Sequence, residues 1–322
     1  MFGAVLPQLW LLSHALGIIL DYKCTSLDFL KLYFQLNQES KIMYTILIEA
    51  EELLVATGQP NTIIFDCRHS LTEPDFGINR YNDNHLPNAI YASMDEHLSQ
   101  RPNGLNGRHP FPEIQAFIEW LKNCGVNNST QVVAYDDAGG VYASRLWCLL
   151  KWLGHEAVAV LNGGLQSWIE SKGVLDREVT QAPEKGNFKP HTKDILVDSQ
   201  YILKNLKNND VLIIDARAND RFRGENETID PIAGHIPGAK NRFFKTNLDD
   251  DGKFKSANTL KRSFLELIDD GTDQQVVHQC GSGVTACHNM LAMEVAGIKN
   301  SKLYPGSWSE WIADTTRPIS TG

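Results

Sequence analysis

An internal duplication limits the fold of this chain more than any other feature of its sequence. Four pairs of segments match in the same order along the chain: "IIFDCR" (63–68) with "LIIDAR" (212–217), "NHLPNA" (84–89) with "GHIPGA" (234–239), "VVAYD" (132–136) with "VVHQC" (276–280), and "LNGGLQSW" (161–168) with "LYPGSWSEW" (303–311). The offset between partners stays between 143 and 150 residues. Because such repeats indicate copies of one structural unit, we predict two similar domains.

Each copy alternates short runs rich in valine and isoleucine with longer helical patterns. In the first copy, "TIIFD", "TQVVAYD" and "AVAVLNGG" are separated by stretches such as "PEIQAFIEWLKNCG" and "ASRLWCLLKWLG". This alternation favours an α/β fold in which each copy is a parallel sheet flanked by helices. We predict domain 1 at residues 44–172, a linker rich in proline and charge at 173–194, and domain 2 at 195–318.

Residues 1–43 are predicted to lie outside this fold. The opening twenty residues carry no charge, and their length suits a membrane anchor. They include Pro7, Gln8 and His14, and no lysine or arginine precedes the apolar run as a signal peptide requires. We interpret the segment as a dispensable extension, with a signal or anchor as the alternative.

The charge and cysteine content limit the partners. The formal net charge is −9 without any long basic run, which argues against nucleic acid or an anionic membrane as the main partner. A small anionic substrate needs only two or three local cations. The six cysteines are scattered and form no CxxC pair, so we expect reduced thiols in a cytoplasmic setting rather than a disulfide framework or a metal site.

A six-residue loop, Cys280 to Thr285 ("CGSGVT"), stands between an apolar strand pattern and a helical pattern. Loops that leave the carboxyl end of a parallel strand and enter a helix are where open α/β sheets bind ligands. The backbone N–H groups of Gly281, Gly283, Val284 and Thr285 are expected to converge there, together with the positive end of the helix. A sulfur at Cys280 would be held exposed and anionic.

"CGSGVTAC", "DARANDRFRG", "GHIPGA" and "GSWSEW" together resemble the two-domain rhodanese superfamily of thiosulfate and 3-mercaptopyruvate sulfurtransferases. The similarity runs from about residue 44 to 318. In that family only the second copy keeps the cysteine, and here Asp136 stands at the matching position of the first copy. The resemblance implies that Cys280 takes sulfur from a small anionic donor, becomes a persulfide and passes the sulfur on, without a metal or organic cofactor. The acceptor would be cyanide or a thiol such as thioredoxin or glutathione.

The residues after the cysteine indicate the donor. Cys-Arg-Lys-Gly-Val-Thr is typical of thiosulfate enzymes, whereas "CGSGVT" matches the 3-mercaptopyruvate enzymes, in which the serine works with a histidine and an aspartate of the first domain. The resemblance implies that Ser282 works with His85 of "YNDNHLPNA". The segment before His85 departs from the family pattern, so two aspartates, Asp75 and Asp83, could be the third member. We predict Asp75, with Asp83 as the alternative.

Arginines are expected to hold the donor's carboxylate, because a planar guanidinium suits bidentate recognition. Arg221 in "DRFRG" matches the first family arginine, but "ENETIDPIA" (225–233) contains no second one. Arg242 is predicted to replace it, with Arg223 as the alternative; a further alternative is a site that binds the carboxylate more weakly and accepts thiosulfate. Arg217, beside Asp215, is more simply explained as a structural ion pair at the end of a strand.

Two other functions compete with sulfur transfer. A cysteine-dependent phosphatase needs an arginine at the end of the loop to grip phosphate, and no arginine occurs from Cys280 to Ala296. A non-catalytic binding module is the remaining alternative, although an intact loop with its cysteine counts against it.

Overall fold

The computed structural model describes residues 43–57, 61–181, 183–268 and 274–322. Tyr44–Gly322 form one compact unit. The prediction of an extension at the N-terminus concerns residues that lie almost wholly outside the described part of the chain. Within the described part, no helix combines the length and apolar character needed to span a bilayer.

The first repeat, Leu47–Glu170, contains one parallel sheet and its flanking helices. Its strands are β1 (Leu47–Ile48), β2 (Thr62–Asp66), β3 (Ala89–Tyr91), β4 (Gln131–Tyr135) and β5 (Val158–Leu161). Its helices are α1 (Ala50–Ala56), α2 (Phe76–Asp83), α3 (Ile114–Asn123), α4 (Ala143–Trp152) and α5 (Gly164–Glu170). The strand order is β1-β5-β4-β2-β3, and every pairing is parallel.

The second repeat, Ser199–Trp311, has a similar arrangement with four strands in place of five. Its strands are β6 (Val211–Asp215), β7 (Lys240–Asn241), β8 (Gln275–Gln279) and β9 (Lys302–Leu303), in the order β7-β6-β8-β9, all parallel. Its helices are α6 (Ser199–Asn205), α7 (Asn219–Arg223), α8 (Ala257–Leu265), α9 (Thr285–Val295) and α10 (Ser307–Trp311), with a 3₁₀ turn at Phe244–Asn247. The predicted fold class, tandem α/β domains with parallel sheets, is confirmed.

The two repeats meet through the helices that follow their central strands. α4 and α9 pack against each other, and an unbroken run of each, Ala143–Leu150 and Ala286–Met293, is buried. Helices that are covered on all sides belong in a protein interior, which explains why most residues of both are apolar; the buried polar side chains Arg145, His288 and Asn289 have hydrogen-bond partners. Because α4 and α9 begin at equivalent loops, their contact brings those two loops to one cleft.

The segment after the first repeat lies along that repeat. Phe188 is buried in the core, and its N–H donates to the Val126 carbonyl at 3.2 Å. The His191 N–H donates to the Leu153 carbonyl at 2.8 Å. The domain boundaries given above remain predictions.

Candidate active site

The loop from Cys280 to Thr285 joins β8 to α9, as its sequence predicts. Gly283 has φ +79°, and a Cβ there would lie 2.2 Å from the Pro305 carbonyl oxygen, so only glycine fits. The start of α10 holds the loop from outside, because the N–H groups of Trp308 and Ser309 each donate at 2.9 Å to the carbonyls of Cys280 and Gly281. Both hydrogen bonds fix the direction in which the Cys280 side chain leaves the strand.

The prediction of an exposed Cys280 sulfur is wrong: the residue is buried, with 2% of its surface exposed, and the Gly283 N–H donates to the sulfur at 3.1 Å. Hydrogen bonding to the sulfur stabilises its anionic form. The first repeat shows what this type of loop binds, because Asp136 takes the cysteine's place. Its carboxylate accepts bonds of 2.8–2.9 Å from the N–H groups of Ala138, Gly140, Tyr142 and Ala143. Burial raises the pKa of Asp136 and these four hydrogen bonds oppose the rise, so the loop directs its N–H groups at an acidic side chain in the repeat that lacks the cysteine.

A cavity of about 190 Å³ opens above Cys280. The second repeat contributes Gly281, Ser282, Val284 and Thr285 to its wall, and the first repeat contributes side chains from the loops after its strands. The lining includes both apolar and cationic groups. The cleft between the repeats can therefore hold a small anionic molecule against the thiol.

Ser282 lies against a histidine from the first repeat. His109 Nδ1 is 2.9 Å from Ser282 Oγ, and His109 Nε2 is 3.8 Å from Asp95 Oδ1. Burial, reinforced by Arg145 and Arg108, lowers the pKa of His109 to about 3, so the ring is neutral at pH 7. The Asp95 carboxylate is beyond hydrogen-bond distance of Nε2, and a neutral ring protonated at Nε2 offers its Nδ1 lone pair to the Ser282 hydroxyl.

Two arginines, one from each repeat, meet beside the loop. Arg108 and Arg221 both line the cavity, and Asp230 joins them: Arg108 Nη1 is 2.5 Å from Oδ1, and Arg221 Nη2 is 3.0 Å from Oδ2. A Cβ on Gly281 would lie 3.0 Å from Arg108 Nη2 and 3.7 Å from Arg221 Nη2. Both cations are therefore next to the residue that follows the thiol.

The comparison with known proteins agrees with this geometry. The family model described as "Rhodanese-like domain" matches residues 49–171 and again residues 198–314. The chain belongs to the rhodanese family.

Rhodanese-family relatives match over most of their length. A Pseudomonas aeruginosa protein named "Probable 3-mercaptopyruvate sulfurtransferase" is 39% identical over 279 residues, which cover 86% of this chain and 98% of the relative. The thiosulfate sulfurtransferase of Rattus norvegicus is 33% identical over 72% of this chain and 78% of its own. The structure of the 3-mercaptopyruvate sulfurtransferase from Leishmania major superposes with a TM-score of 0.74 at 30% identity, covering 83% of this chain and 74% of that one.

The structure corrects the predicted partner of Ser282 in this rhodanese-family chain. His85 is fully buried, and its two ring nitrogens are 2.7 Å from the Tyr81 carbonyl and 3.2 Å from the Glu178 carbonyl. The equivalent His235 repeats the arrangement, with Nδ1 2.8 Å from the Phe222 carbonyl. His85 therefore has the structural role that His235 has, and His109 is the histidine at Ser282.

The prediction that Asp75 or Asp83 acts with Ser282 is also wrong. Asp75 is exposed at the N-terminal end of α2, where its backbone carbonyl accepts from Asn79, and Asp83 is exposed at the other end of that helix. Neither lines the cavity. The carboxylate beside His109 belongs to Asp95, which follows β3.

The second arginine at the loop is neither of the two that were predicted. Arg242 is buried away from the cavity, where it donates to Thr246 Oγ1 at 3.0 Å and Asn247 Oδ1 at 2.7 Å, and its guanidinium lies over the Phe264 ring. Arg223 pairs with Glu225 at the surface. The cation that joins Arg221 at the loop is Arg108. By contrast, Arg217 forms the predicted ion pair with Asp215, at 2.7 Å.

Arg145 holds the loop and His109 together from the first repeat. Its side chain is buried in α4, and it donates to the Gly283 carbonyl at 3.2 Å and to the His109 carbonyl at 2.8 Å. Its guanidinium lies 4.1 Å from the centre of the Phe111 ring. Arg145 is therefore a positioning residue for both halves of the site.

His69, Asp95 and His109 could together hold a divalent cation, since each offers one ligand atom and these atoms lie within 4.8 Å of one another. Burial also lowers the pKa of His69, which keeps its ring neutral. The pairing of Asp95 with His109 already explains two members of this group. The reaction proposed below needs no metal.

The site residues that the sequence did not predict come mainly from loops of the first repeat, which hold Asp95, Arg108 and His109; Arg145 lies in α4, and Asp230 lies in the second repeat after α7. Arg108 and His109 stand in "GRHPFP" (107–112), which has no periodicity and no counterpart in the second repeat. Only the residue types in this loop could have marked it as part of the site, because an arginine and a histidine stand together before a proline. A second signal was the recurrence of His85 as His235, which marks that position as structural.

Proposed function

We propose that this chain is a sulfurtransferase that takes sulfur from 3-mercaptopyruvate, carries it as a persulfide on Cys280 and delivers it to a thiol or cyanide. The contact between Ser282 and His109 beside Cys280 is the observation that supports this donor most strongly. Thiosulfate transfer requires no proton, whereas 3-mercaptopyruvate transfer does. A serine–histidine pair next to the thiolate is therefore useful only when 3-mercaptopyruvate is the donor.

In the first half-reaction the Cys280 thiolate attacks the sulfur of the donor. A sulfur–sulfur bond forms, the donor's carbon–sulfur bond breaks, and its electron pair passes to the carbon as the enolate of pyruvate. The proton of the donor's thiol ends on that carbon, which gives pyruvate and a Cys280 persulfide anion. Ser282 and His109 lie where they can relay this proton, and the Asp95 carboxylate lies 3.8 Å from the other ring nitrogen.

The loop stabilises the sulfur anion at each stage. The Gly283 N–H contacts Sγ, and alignment of "GVYA" (140–143) with "GVTA" (283–286) makes the N–H groups of Thr285 and Ala286 the counterparts of those of Tyr142 and Ala143, which bind the Asp136 carboxylate. Fixed donors of this type stabilise a developing charge without reorganisation. We assign Gly281, Gly283, Val284 and Thr285 to this cradle.

The donor's carboxylate is proposed to bind Arg108 and Arg221. Both line the cavity within reach of Gly281, and they approach it from opposite repeats. A bidentate contact to one guanidinium and a single bond to the other would fix the donor's sulfur above Cys280.

In the second half-reaction an acceptor attacks the outer sulfur of the persulfide. Cyanide would leave as thiocyanate, and a thiol would leave as a persulfide while its proton passes to solvent; either regenerates the Cys280 thiolate. Thioredoxin and glutathione are candidate thiols. The described cysteines, Cys67, Cys124, Cys148, Cys280 and Cys287, are all free, which fits a reducing compartment such as the cytoplasm.

Thiosulfate is the second candidate donor. Two guanidinium groups beside the thiol favour it, as does the similarity to the Rattus norvegicus thiosulfate sulfurtransferase. The mechanism would be the same, with sulfite as the leaving group. A non-catalytic binding module is the alternative from another class.

The test is to measure kcat/KM for 3-mercaptopyruvate and thiosulfate side by side, with Cys280→Ser as the control. We expect 3-mercaptopyruvate to be preferred and the Cys280→Ser variant to transfer no sulfur. Equal or better turnover of thiosulfate would contradict the donor assignment. Absence of transfer from both donors would contradict the enzyme function and favour the binding module.

A further inference from the structure

We propose that Asp230 determines donor specificity: its carboxylate neutralises Arg108 and Arg221 and so favours a donor with one negative charge over a donor with two. The inference rests on the proposed function, because it assigns those arginines to donor binding. It gives a role to a buried acidic residue at the edge of a site that should attract anions.

Asp230 is one of a row of six charged side chains that alternate in sign from the end of β6 to the first repeat. In order, the row is Asp215, Arg217, Glu227, Arg221, Asp230 and Arg108, with neighbouring charged groups 2.5–3.5 Å apart. Its formal charges cancel. The arginines beside Cys280 are thus part of a neutral row rather than an uncompensated pair of cations.

Asp230 lies beside Gly281, the residue that follows Cys280. Its side chain is only 2% exposed, and each carboxylate oxygen is bonded to a different arginine. A Cβ on Gly281 would lie 3.7 Å from Asp230 Oδ2. Asp230 does not itself line the cavity, so an anion held by Arg108 and Arg221 meets its charge behind the two guanidinium groups.

The arginines still have N–H groups to offer a single carboxylate. Arg108 Nε is buried and has no hydrogen-bond partner in the described part of the chain, and Arg108 Nη2 faces Gly281. One donor carboxylate can use these groups while Asp230 stays in place. A dianion such as thiosulfate brings a second negative charge for which the row has no unpaired cation.

The size of the effect follows from the charges. Near a protein surface, removing one charge about 7 Å from an anion changes its binding by on the order of tenfold or more for each unit of charge on the anion. Asp230→Asn should therefore raise kcat/KM about tenfold for 3-mercaptopyruvate and about a hundredfold for thiosulfate. The ratio of the two constants, thiosulfate over 3-mercaptopyruvate, should rise about tenfold.

The experiment compares wild type with Asp230→Asn and Asp230→Glu for both donors. Asp230→Glu keeps the charge and should keep the wild-type ratio. Glu225→Gln is the matched control, because it removes the same charge from an exposed pair on the same segment. An unchanged ratio in Asp230→Asn, or an equal rise in Glu225→Gln, would overturn the proposal. Asp230→Ser replaces Asp230→Asn if the latter does not fold.

Alkylation of Cys280 separates this inference from the proposed function. Iodoacetate carries one negative charge and iodoacetamide none. The ratio of their alkylation rates therefore measures how strongly the cavity favours an anion over a neutral reagent, and the measurement needs no sulfur donor. We expect Asp230→Asn to raise the iodoacetate to iodoacetamide ratio about tenfold. If wild type transfers no sulfur but this ratio rises, the proposed function fails and the role of Asp230 stands. If the ratio is unchanged, the role of Asp230 is overturned whatever the donor.

Discussion

Replacement of His109 by asparagine should separate the two candidate donors by their need for a proton. The side chain contacts Ser282 Oγ through Nδ1 at 2.9 Å, and asparagine places a polar atom near that position without a basic lone pair. The backbone carbonyl of residue 109, which accepts from Arg145 at 2.8 Å, is retained. We therefore expect the fold to survive the change.

The expected magnitude comes from the chemistry. A positioned acid–base group contributes about 10²–10⁴-fold, so kcat for 3-mercaptopyruvate should fall by at least about 100-fold. Thiosulfate loses sulfite without any proton transfer, so its kcat should stay within about threefold of wild type. Stopped-flow assays of pyruvate and sulfite release in a single turnover measure both values on the same preparation.

The outcome that would refute this account is an equal loss for both donors, since that would make His109 a structural support for the loop. No loss for either donor would remove the proton relay altogether. A further check uses the lowered pKa of about 3 for His109: the neutral ring is the form present from pH 5.5 to 8, so its protonation should produce no inflection near pH 6.5. Such an inflection, absent in His109→Asn, would contradict a neutral ring.

Three further predictions follow from the contacts described. Arg108→Gln should raise KM for 3-mercaptopyruvate about tenfold or more with a smaller change in kcat, whereas Arg242→Gln should leave KM within about twofold. Steady-state kinetics of both variants measure these changes. A large rise in KM for Arg242→Gln alone would identify Arg242 as the donor's ligand instead. His85→Gln should lower the free energy of unfolding by about 1–2 kcal/mol and leave kcat/KM within about twofold, as urea titration and initial rates will show; a large loss of rate without loss of stability would contradict the structural role. Burial lowers the pKa of His109, His278 and His288 to about 3, 3 and 4, so below the ordinary value of 6.5 the unfolded chain binds protons that the native chain does not. The free energy of unfolding should therefore fall between pH 7.5 and 5.5 by about 1 kcal/mol for each of these histidines, and a rise in the urea midpoint over that range would be inconsistent with buried neutral rings.

The parts of the molecule that sequence could predict are those fixed by local pattern. The matched segments gave two parallel sheets, because apolar runs of strand length alternate with helical runs in both copies. The loop at Cys280 was predictable for the same reason, since "VVHQ" ends a buried strand and Gly283 must adopt a conformation that other residues avoid.

The partners of that loop depend on contacts between distant parts of the chain. Ser282 and His109 are 173 positions apart, and Arg108 and Asp230 are 122 apart. No local pattern places such residues together; the packing of α4 against α9 does. His85 recurs as His235 in the other copy, and this recurrence, which marks a structural position, would have removed His85 from the site.

The most direct test of the central claim is mass spectrometry of the intact protein after exposure to 3-mercaptopyruvate without an acceptor. The account predicts one added sulfur atom, located by peptide mapping on Cys280, lost on addition of cyanide and absent from Cys280→Ser. Sulfur on another cysteine such as Cys287, or no added sulfur while pyruvate is still released, would contradict a Cys280 persulfide as the carrier.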